Sequence, residues 1–500
     1  MNTGKTSSQS TLAPSEYQKR YTAGQIIKFD IPSFYGFIDP RQTFLRMNCA
    51  INSGLKCRLS KDLGGQALIS AIRIYDYANS NLLENIENYG EIVKIMNNFG
   101  DNDSLRHQKQ LLEGIDTETA TGLLNRQEAL FFNQYAPTST NTTDIVTDKK
   151  VNDNVVQLAM KVHSGILGGD KVFPISAFGG LRVEIELNTA SKALMCIGQG
   201  TSAAEGVALS ADIAGGAVTT LDLALAPNQL PFCVGHKLFF KNNADAEKVV
   251  TILEIENLNT DESRITFASE VIGATDEGVK VHLSDFSTLD QGTNFALTNV
   301  ELCLKQVIPP QSYVDNINKL IGSEEGFNID IKTFDLIRSN ILGGQFINEL
   351  PISSYSRRVY AVLSLYTKNE SDSLVTDSFK TDKTRIVKYS YAIDGRKNPN
   401  RDVNVELTAG HDYHINQQAT FEARKALESC GITIRNLPLK NNFFVGRAMG
   451  QYGGVYPLKD HDLTLRTQFN STGSEDLLVL NYICSLRRLV VNSEGVVVIQ

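Results

Sequence analysis

The chain of 500 residues contains no tryptophan, and its aromatic content of 8% comes from phenylalanine and tyrosine alone. A platform that stacks sugar rings, such as a lectin site, is therefore disfavoured, whereas Phe and Tyr suit interior packing and protein interfaces. No uninterrupted apolar run approaches the roughly 18 to 20 residues that cross a bilayer. The first residues lack an apolar h-region, which predicts that there is no secretory signal.

Cysteine is sparse and its pattern is uninformative for metal binding. The seven cysteines are odd in number, widely spread and never arranged as C-x-x-C. This pattern favours a reducing compartment and argues against a disulfide framework or a cysteine zinc site. We expect most of them to be small, buried hydrophobic residues.

Charge is also low on the basic side. The formal net charge is -8, and the basic residues are scattered rather than clustered, so we expect no specific binding of nucleic acid. An apolar content of 42% with 21% charged residues is typical of a folded globular protein. The length predicts two or three domains.

Sequence motifs for catalysis are missing as well. There is no G-x-S-x-G, no P-loop and no G-x-G-x-x-G, and Gly450 to Gly454 is interpreted as a turn. Two histidine groups, His411 with His414 and Lys459 to Asp462, could ligate a metal but lack a third ligand at a recognisable spacing. Solvated loop or turn chemistry is the favoured interpretation of both.

Cys233 and His236 lie three residues apart in an apolar context. They could form a reactive thiolate pair, but a buried structural cysteine is favoured. Paired carboxylates for glycoside hydrolysis stay open as an alternative, because such pairing is spatial. We predict no catalytic residue, no cofactor, no metal site and no enzyme activity.

The clearest strand pattern follows Gly179 and Gly180. Apolar residues alternate there with polar ones, which is typical of an antiparallel strand with one buried and one wet face. The inward set is predicted to be Leu181, Val183, Ile185 and Leu187, with Glu184 and Glu186 facing outward.

An echo of this region occurs in the second half of the chain. The run Ile166 to Gly169 followed by Pro174 to Ser176 resembles Ile341 to Gly344 followed by Pro351 to Ser353. An alternating run follows each of them. The echo suggests two copies of one β-architecture, with chance similarity as the alternative.

The remaining pattern predicts many short strands and few helices. Asn81 to Glu84 is interpreted as a capping box that opens a helix packed on a sheet edge, with Leu83, Ile86, Val93 and Met96 at helical spacing. Further helices are predicted around Tyr313 to Ile321 and from Phe421 to Cys430, closed by Gly431. A long loop is predicted over 133–153. Many short strands favour a sandwich or jelly roll.

Composition divides the chain into four parts. We predict a flexible N-terminal arm over 1–22, a first β domain over 23–310, and a second over 311–500, with Pro309 and Pro310 at the boundary. Residues 198–293 are interpreted as a β module inserted into the first domain, with long loops as the alternative.

The order of these features resembles the double jelly-roll major capsid proteins of tailless icosahedral double-stranded DNA viruses, closest to those of virophages and Polinton-like viruses. The residues that carry the resemblance are Gly179 to Leu187, Pro309 and Pro310, Phe421 to Leu427, Asn442 to Arg447 and Leu489 to Val498. It spans about residues 20 to 500 as an order of elements. The module is not a fixed part of the family pattern.

The resemblance implies two tandem eight-stranded jelly rolls, homotrimeric pseudo-hexagonal capsomers and an icosahedral shell. It also implies neighbouring capsomers, penton and minor capsid proteins as partners, and a place in the virion after synthesis in the host cytoplasm or nucleus. Two alternatives stay open: a viral spike or receptor-binding protein that uses the module, and a β-sandwich carbohydrate-active enzyme.

Overall fold

The structure of the protein is a computed structural model. The residues that it describes are 7–16, 18–52, 57–60, 62–77, 81–115, 155–196, 207–225, 237–244, 246–258, 262–283, 293–352, 356, 358–368, 379, 381, 386–405, 417–435, 443–450, 454–470 and 476–499. The predicted loop over 133–153 lies outside these residues.

Strands and short helices alternate in the first part of the chain. Its strands are β1 (Ser7–Leu12), β2 (Tyr21–Thr22), β3 (Ile26–Pro32), β4 (Phe37–Ile38), β5 (Phe44–Asn52), β6 (Cys57–Leu59), β7 (Ile69–Asp76), β8 (Leu82–Glu87), β9 (Val155–Lys161), β10 (Phe173–Pro174), β11 (Gly180–Leu187) and β12 (Leu194–Cys196). Its α-helices are α1 (Tyr89–Gly100), α2 (Asp103–Leu112) and α3 (Ala190–Ala193). Its 3-10 helices are Ser33–Tyr35, Pro40–Gln42, Gly64–Leu68 and Ile175–Phe178.

The rest of the chain contains a small strand-rich segment and a second long β region. The segment holds β13 (Val207–Ala208), β14 (Gly216–Leu223), β15 (Lys237–Lys241), β16 (Glu247–Asn257), β17 (Ser263–Ile272) and β18 (Lys280–Leu283). After it come β19 (Asn294–Val307), helix α4 (Gln311–Ile321), β20 (Phe327–Ile341), β21 (Ile347–Ile352), β22 (Val359–Lys368), β23 (Ile386–Ile393), β24 (Arg396–Asn404), helix α5 (Gln417–Ser429), β25 (Phe444–Ala448), β26 (Leu463–Phe469), β27 (Leu477–Asn492) and β28 (Gly495–Ile499).

The first barrel consists of two antiparallel sheets that face each other. In one sheet β19 pairs with β1, β2, β4 and β5, and β5 pairs in turn with β9. The other sheet has the order β3-β11-β7-β8. Apolar residues of both sheets alternate inward and meet in one large core.

The second barrel repeats this arrangement. Its sheets have the orders β20-β27-β22-β25 and β21-β26-β23-β24, and β28 pairs with β27. The main strands are numbered within each barrel, with β1 and β2 together as the first strand and the short strands β4, β6, β10, β12 and β28 left out. In this numbering both barrels pair first with eighth, eighth with third and third with sixth in one sheet. Both pair second with seventh, seventh with fourth and fourth with fifth in the other. The predicted fold of two tandem jelly rolls is confirmed.

The sequence echo, however, does not fall on equivalent strands. The alternating run after the first copy is β11, the seventh strand of its barrel, whereas the run after the second copy is β22, the third strand of its barrel. The duplication is therefore one of topology, and the similar Gly and Pro residues are common chain-turning chemistry at two different turns.

The strand-rich segment between β11 and β19 forms its own six-stranded sheet, in the order β13-β18-β15-β16-β17-β14. It also has its own apolar core, which includes Leu223, Phe240 and Ile265. A small sheet with a separate core suits the interpretation of residues 198–293 as an inserted module, whose boundaries stay a prediction.

Two local predictions are wrong. Asn81 does not cap a helix: Leu82–Glu87 is strand β8, which pairs with β7, and helix α1 begins only at Tyr89. Leu83 and Ile86 are buried from that strand, so apolar residues at a spacing of three fitted two kinds of structure. Helix α1 is also almost fully buried, rather than packed on an exposed sheet edge.

The predicted flexible arm is ordered where the structure describes it. Ser7–Leu12 pairs along its whole length with Leu302 to Val307 of β19. The polar side chains gave no strand signal, because an edge strand with two wet faces is stabilised mainly by its backbone hydrogen bonds. Residues 1–6 lie outside the described part.

Strand β11 has the predicted register. Leu181, Val183 and Ile185 are 0% exposed and Leu187 is 2% exposed, while Glu184 and Glu186 are half-buried on the other face. The strand is central in its sheet, between β3 and β7.

We expect Ile185→Asp to abolish soluble folded protein, because it places an unpaired carboxylate in the first core at a cost of several kcal/mol. The matched control Glu184→Gln changes the outer face and should alter the free energy of unfolding by less than about 0.5 kcal/mol. Soluble yield and chemical denaturation measure both. Similar behaviour of the two variants would show that the assigned faces of β11 are wrong.

Candidate functional site

The structure describes the Lys459 to Asp462 motif, and its histidine contacts a residue that is distant in sequence but close in space. His461 Nδ1 lies 2.6 Å from Asp394 Oδ2, and the Asp462 N–H donates to Asp394 Oδ1 at 3.0 Å. The hydrogen bond with His461 lowers the pKa of Asp394 below its ordinary value. The motif thus joins the β23–β24 turn to the loop before β26, as expected for turn chemistry. Sequence spacing could not identify Asp394, since it lies far along the chain.

The other two candidate motifs lie outside the described residues, and the glycine turn is described only in part. His411, His414, Cys233 and His236 lie outside the described residues, so their interpretations stay predictions. At the predicted glycine turn, a Cβ on Gly450 would lie 1.8 Å from the Gly454 carbonyl oxygen. Gly450 therefore has no room for a side chain in this turn.

Within the described part of the chain, no three His, Cys, Asp or Glu side chains gather in a way that could hold a metal ion. The same residues include no helix that is long and apolar enough to cross a membrane. The cysteine side chains described are those of Cys49, Cys303, Cys430 and Cys484, all buried and unbonded. Burial raises the pKa of the Cys49 thiol to about 12, which keeps it protonated and unreactive.

The most highly organised polar site of the described chain lies where the two barrels meet. On the side of the first barrel, Glu84 of β8 is fully buried. Its carboxyl group accepts hydrogen bonds from the N–H groups of Gly165 at 2.7 Å and Ile166 at 3.3 Å. Burial raises the pKa of Glu84, against the opposing effect of these hydrogen bonds.

On the side of the second barrel, Arg487 of β27 reaches across the junction. Its guanidinium donates to the Leu83 carbonyl oxygen at 2.9 Å and to Asp335 Oδ1 at 2.7 Å. The side chain is only 5% exposed. A buried, forked donor with partners in both barrels fixes their relative orientation.

Helix α1 fills the remaining space between the barrels. Its N-terminal neighbour Asn88 has a left-handed backbone, and the Asn88 carbonyl oxygen accepts a hydrogen bond from the Tyr482 hydroxyl at 2.8 Å. At the other end, the Phe99 ring meets Phe444 edge to face with centroids 5.4 Å apart. The Arg435 N–H donates to the Phe99 carbonyl oxygen at 2.8 Å.

Two glycines allow this close approach. A Cβ on Gly165 would lie 2.3 Å from the Lys332 carbonyl oxygen of β20, and one on Gly90 would lie 2.4 Å from the Phe379 ring. Separations under 3.0 Å are not found for real Cβ atoms. A side chain at position 165 would therefore require the β20 backbone to move, whereas one at position 90 would require the Phe379 ring to shift.

A cavity of about 530 Å³ remains at the junction. It is lined from the first barrel by residues such as Glu84 and His163, and from the second by Lys332, Tyr360 and Cys430. Burial lowers the pKa of His163 to about 3, so its imidazole is neutral near neutral pH. The Lys332 ammonium lies 4.7 Å from the centre of the Tyr360 ring.

The two ends of the first barrel carry different features. Strand β11 ends before the segment with its own sheet, at Leu187, whose strand partner is Ile69. Strand β19 begins after this segment, at Asn294, whose strand partner is Asn52. The opposite end holds the link to the second barrel and several exposed apolar side chains. Among these, Phe34 is 75% exposed, Ile308 59% and Tyr313 49%. Exposed aromatic and aliphatic residues of this kind are candidates for contact with another protein.

Comparison with known proteins gives a match in structure but not in sequence. No protein-family model and no curated protein matches the chain. The Faustovirus major capsid protein has a TM-score of 0.50 at 11% identity, over 98% of this chain and 91% of that one. The PBCV-1 virus capsid model also has a TM-score of 0.50, at 7% identity, over 100% of this chain and 97% of that one.

The mavirus major capsid protein is a weaker structural match, with a TM-score of 0.39 at 10% identity over 98% of this chain and 89% of that one. At these identities the two stronger matches establish the fold. The resemblance to double jelly-roll capsid proteins seen in the sequence is thus confirmed in the architecture of the whole chain.

We expect Gly165→Ala to destabilise the protein by about 1–3 kcal/mol, because the new methyl group would overlap the Lys332 carbonyl oxygen across the junction. The matched control is Gly322→Ala, whose Cβ would make only an ordinary contact of 3.6 Å. Urea denaturation compares the two. Equal stability of the two variants would contradict the tight junction described above.

Glu84 should also make stability depend on pH. Because its pKa is raised in the folded state, the native protein holds a proton that the unfolded chain releases above the ordinary glutamate pKa. Stability should therefore fall as pH rises from that ordinary value to the raised native one. In Glu84→Gln this decline above the ordinary glutamate pKa should be weaker, as measured by urea denaturation at a series of pH values.

The control for this measurement is Glu349→Gln, since the Glu349 side chain is 61% exposed. This variant should keep the pH dependence of the unmodified protein. An unchanged decline in Glu84→Gln would show that Glu84 is not protonated in the native state.

Proposed function

We propose that the chain is a viral major capsid protein, that three copies form a pseudo-hexagonal capsomer, and that capsomers tile an icosahedral shell. The observation that carries the proposal is the double jelly-roll fold, shared over nearly the full length of this chain with the Faustovirus major capsid protein. Fold alone does not determine function, so the further support comes from the geometry of the subunit itself.

The duplicated barrel suits a six-sided building block. Both barrels have the same strand order, so three chains would supply six similar units around one axis. The buried junction holds each pair of barrels at a fixed angle, which a regular lattice requires. Because the two barrels differ in sequence, the two lateral faces of one chain differ from each other. Contacts between copies then join unlike faces head to tail, and contacts of this kind form a closed ring when their rotation closes.

In this proposal the protein acts without catalysis or cofactor. Neighbouring capsomers, penton proteins and minor capsid proteins are its partners, and the virion is its location after synthesis in the host cytoplasm or nucleus. The module over 198–293 projects from one end of the capsomer. The exposed apolar residues Phe34, Ile308 and Tyr313 lie at the opposite end of the barrel, where they are available to other components of the shell.

Negative-stain microscopy with light scattering tests the proposal. Purified protein should be a stable trimer at micromolar concentration, because interfaces of this obligate kind bury on the order of 2,000 Å² or more. Micrographs should show trimers that tile into hexagonal sheets or shells. Trimers that never tile would favour a spike protein instead. A stable monomer would contradict the trimeric capsomer. A pH-dependent hydrolysis of glycans that a single carboxylate substitution abolishes would favour a carbohydrate-active enzyme.

Replacing residues 200–291 by a short Gly/Ser linker should leave the trimer folded. The segment they contain has a separate core, and the strands at its two ends, β11 and β19, belong to one barrel, so a short connection can join them. Size-exclusion chromatography with light scattering and circular dichroism measures the result. Aggregation or unfolding of the whole chain would mean that the segment supplies part of the first barrel.

A further inference from the structure

The junction cavity has a largely apolar wall that the protein does not cover completely. Its volume of about 530 Å³ falls within the range of about 300–1,000 Å³ that is typical of small-molecule sites. Met96 of helix α1, Ile329 of β20 and Ile432 beyond helix α5 pack against the large core but are only half-buried. All three line the cavity, which leaves apolar surface available at its wall. The other apolar residues of the lining include Ile86, Val172, Phe173, Phe334 and Leu486.

One cation lies at a defined place in this wall. A Cβ on Gly431 would lie 2.9 Å from Lys332 Nζ, and the same ammonium group lies 4.7 Å from the centre of the Tyr360 ring. Gly431, Tyr360 and Lys332 itself all line the cavity. The Lys332 side chain is exposed, so its charge is accessible to a ligand.

The charges around Lys332 are not balanced. Asp330, two residues earlier in β20, accepts hydrogen bonds from Arg488 at 2.8 and 3.0 Å and from Arg358 at 3.1 Å. These bonds, chiefly the one from Arg488, hold the pKa of Asp330 below its ordinary value. Of the carboxylates that the structure describes, none forms an ion pair with Lys332. Three cations therefore surround one carboxylate at this side of the cavity.

The remaining titratable groups of the lining do not offset this excess. Asp170 and Lys171 carry opposite charges. Burial raises the pKa of Glu84, which favours its neutral form, and burial lowers the pKa of His163 to about 3, which keeps its imidazole neutral. The cavity thus combines an apolar wall with a local excess of positive charge.

We propose that the junction cavity binds a fatty acid, with the carboxylate at Lys332 and the alkyl chain along the apolar wall. A small inorganic anion would leave that wall uncovered, and an uncharged hydrocarbon would leave the cation without a partner. Each buried methylene group should strengthen binding about fourfold. Because Met96 belongs to the first barrel and Ile329 to the second, the bound chain would contact both barrels and should raise the melting temperature of the protein.

Isothermal titration calorimetry of the native full-length protein tests the proposal, with sodium dodecanoate and sodium decanoate below their micelle concentrations. We expect one site per chain and an affinity about fifteenfold lower for decanoate, which has two fewer methylene groups. Decanol, which has no carboxylate, should bind about tenfold more weakly than decanoate. Absence of saturable binding, or equal affinity for decanol and decanoate, would overturn the proposal.

A lysine variant tests the position of the carboxylate. Lys332→Met keeps a long apolar side chain but removes the charge, so the affinity for decanoate should fall about tenfold while that for decanol stays unchanged. The matched control is Lys319→Met, which removes an exposed charge on helix α4 and should bind both ligands as the unmodified protein does. Equal losses in the two variants, or no loss in Lys332→Met, would contradict the assigned site.

A tryptophan reporter locates the ligand directly, because the chain contains no tryptophan of its own. Tyr360→Trp keeps an aromatic ring beside Lys332. Its fluorescence should be quenched strongly by 2-bromododecanoate, whose bromine is next to the carboxylate, and less by 12-bromododecanoate. In the control Phe239→Trp, on the separate sheet of the inserted segment, neither ligand should quench. Equal quenching in the two variants, or stronger quenching of Tyr360→Trp by 12-bromododecanoate, would overturn the proposal.

Discussion

The arrangement of the whole molecule depends on one sheet of the second barrel that is buried on both faces. In β27, Val479 and Ile483 point into the core of the second barrel, whereas Leu480 and Tyr482 point out of it. Those outward residues join the core of the first barrel. Helices α1 and α5 cover the same face. A sheet that serves two cores cannot be exposed on either side without a large loss of apolar burial.

Polar contacts set the angle at which the two barrels pack against each other. Hydrophobic packing alone is nondirectional and would allow several angles between the barrels. Arg487 and Tyr482 each donate from the second barrel to backbone carbonyls of the first. At Gly165 the backbone of the first barrel comes close to the Lys332 carbonyl oxygen of β20. Together these contacts select one relative orientation of the two barrels.

The sequence predicted the fold well where one face of a strand is wet. Alternation in β11 identified both faces correctly, because the period of two has one physical cause there. The signal was ambiguous at Leu83 and Ile86, whose spacing suits a helix as well as a strand, and only pairing with β7 decides between them. The sequence contained no strand signal for Ser7–Leu12, a polar edge strand whose partner lies about three hundred residues away. The junction could not be predicted either, since its buried glutamate and arginine become neighbours only through tertiary structure.

The pairing of β1 with β19 also constrains the order of events during synthesis. Ser7–Leu12 has its strand partners at Leu302 to Val307, so these residues leave the ribosome long before their partners have been translated. The segment with the separate core is complete before β19 appears and can fold while the barrel around it is still open. The first barrel therefore closes late, after this segment has been translated. Its unpaired strands are exposed during that interval, when a nascent chain is most prone to associate with its neighbours.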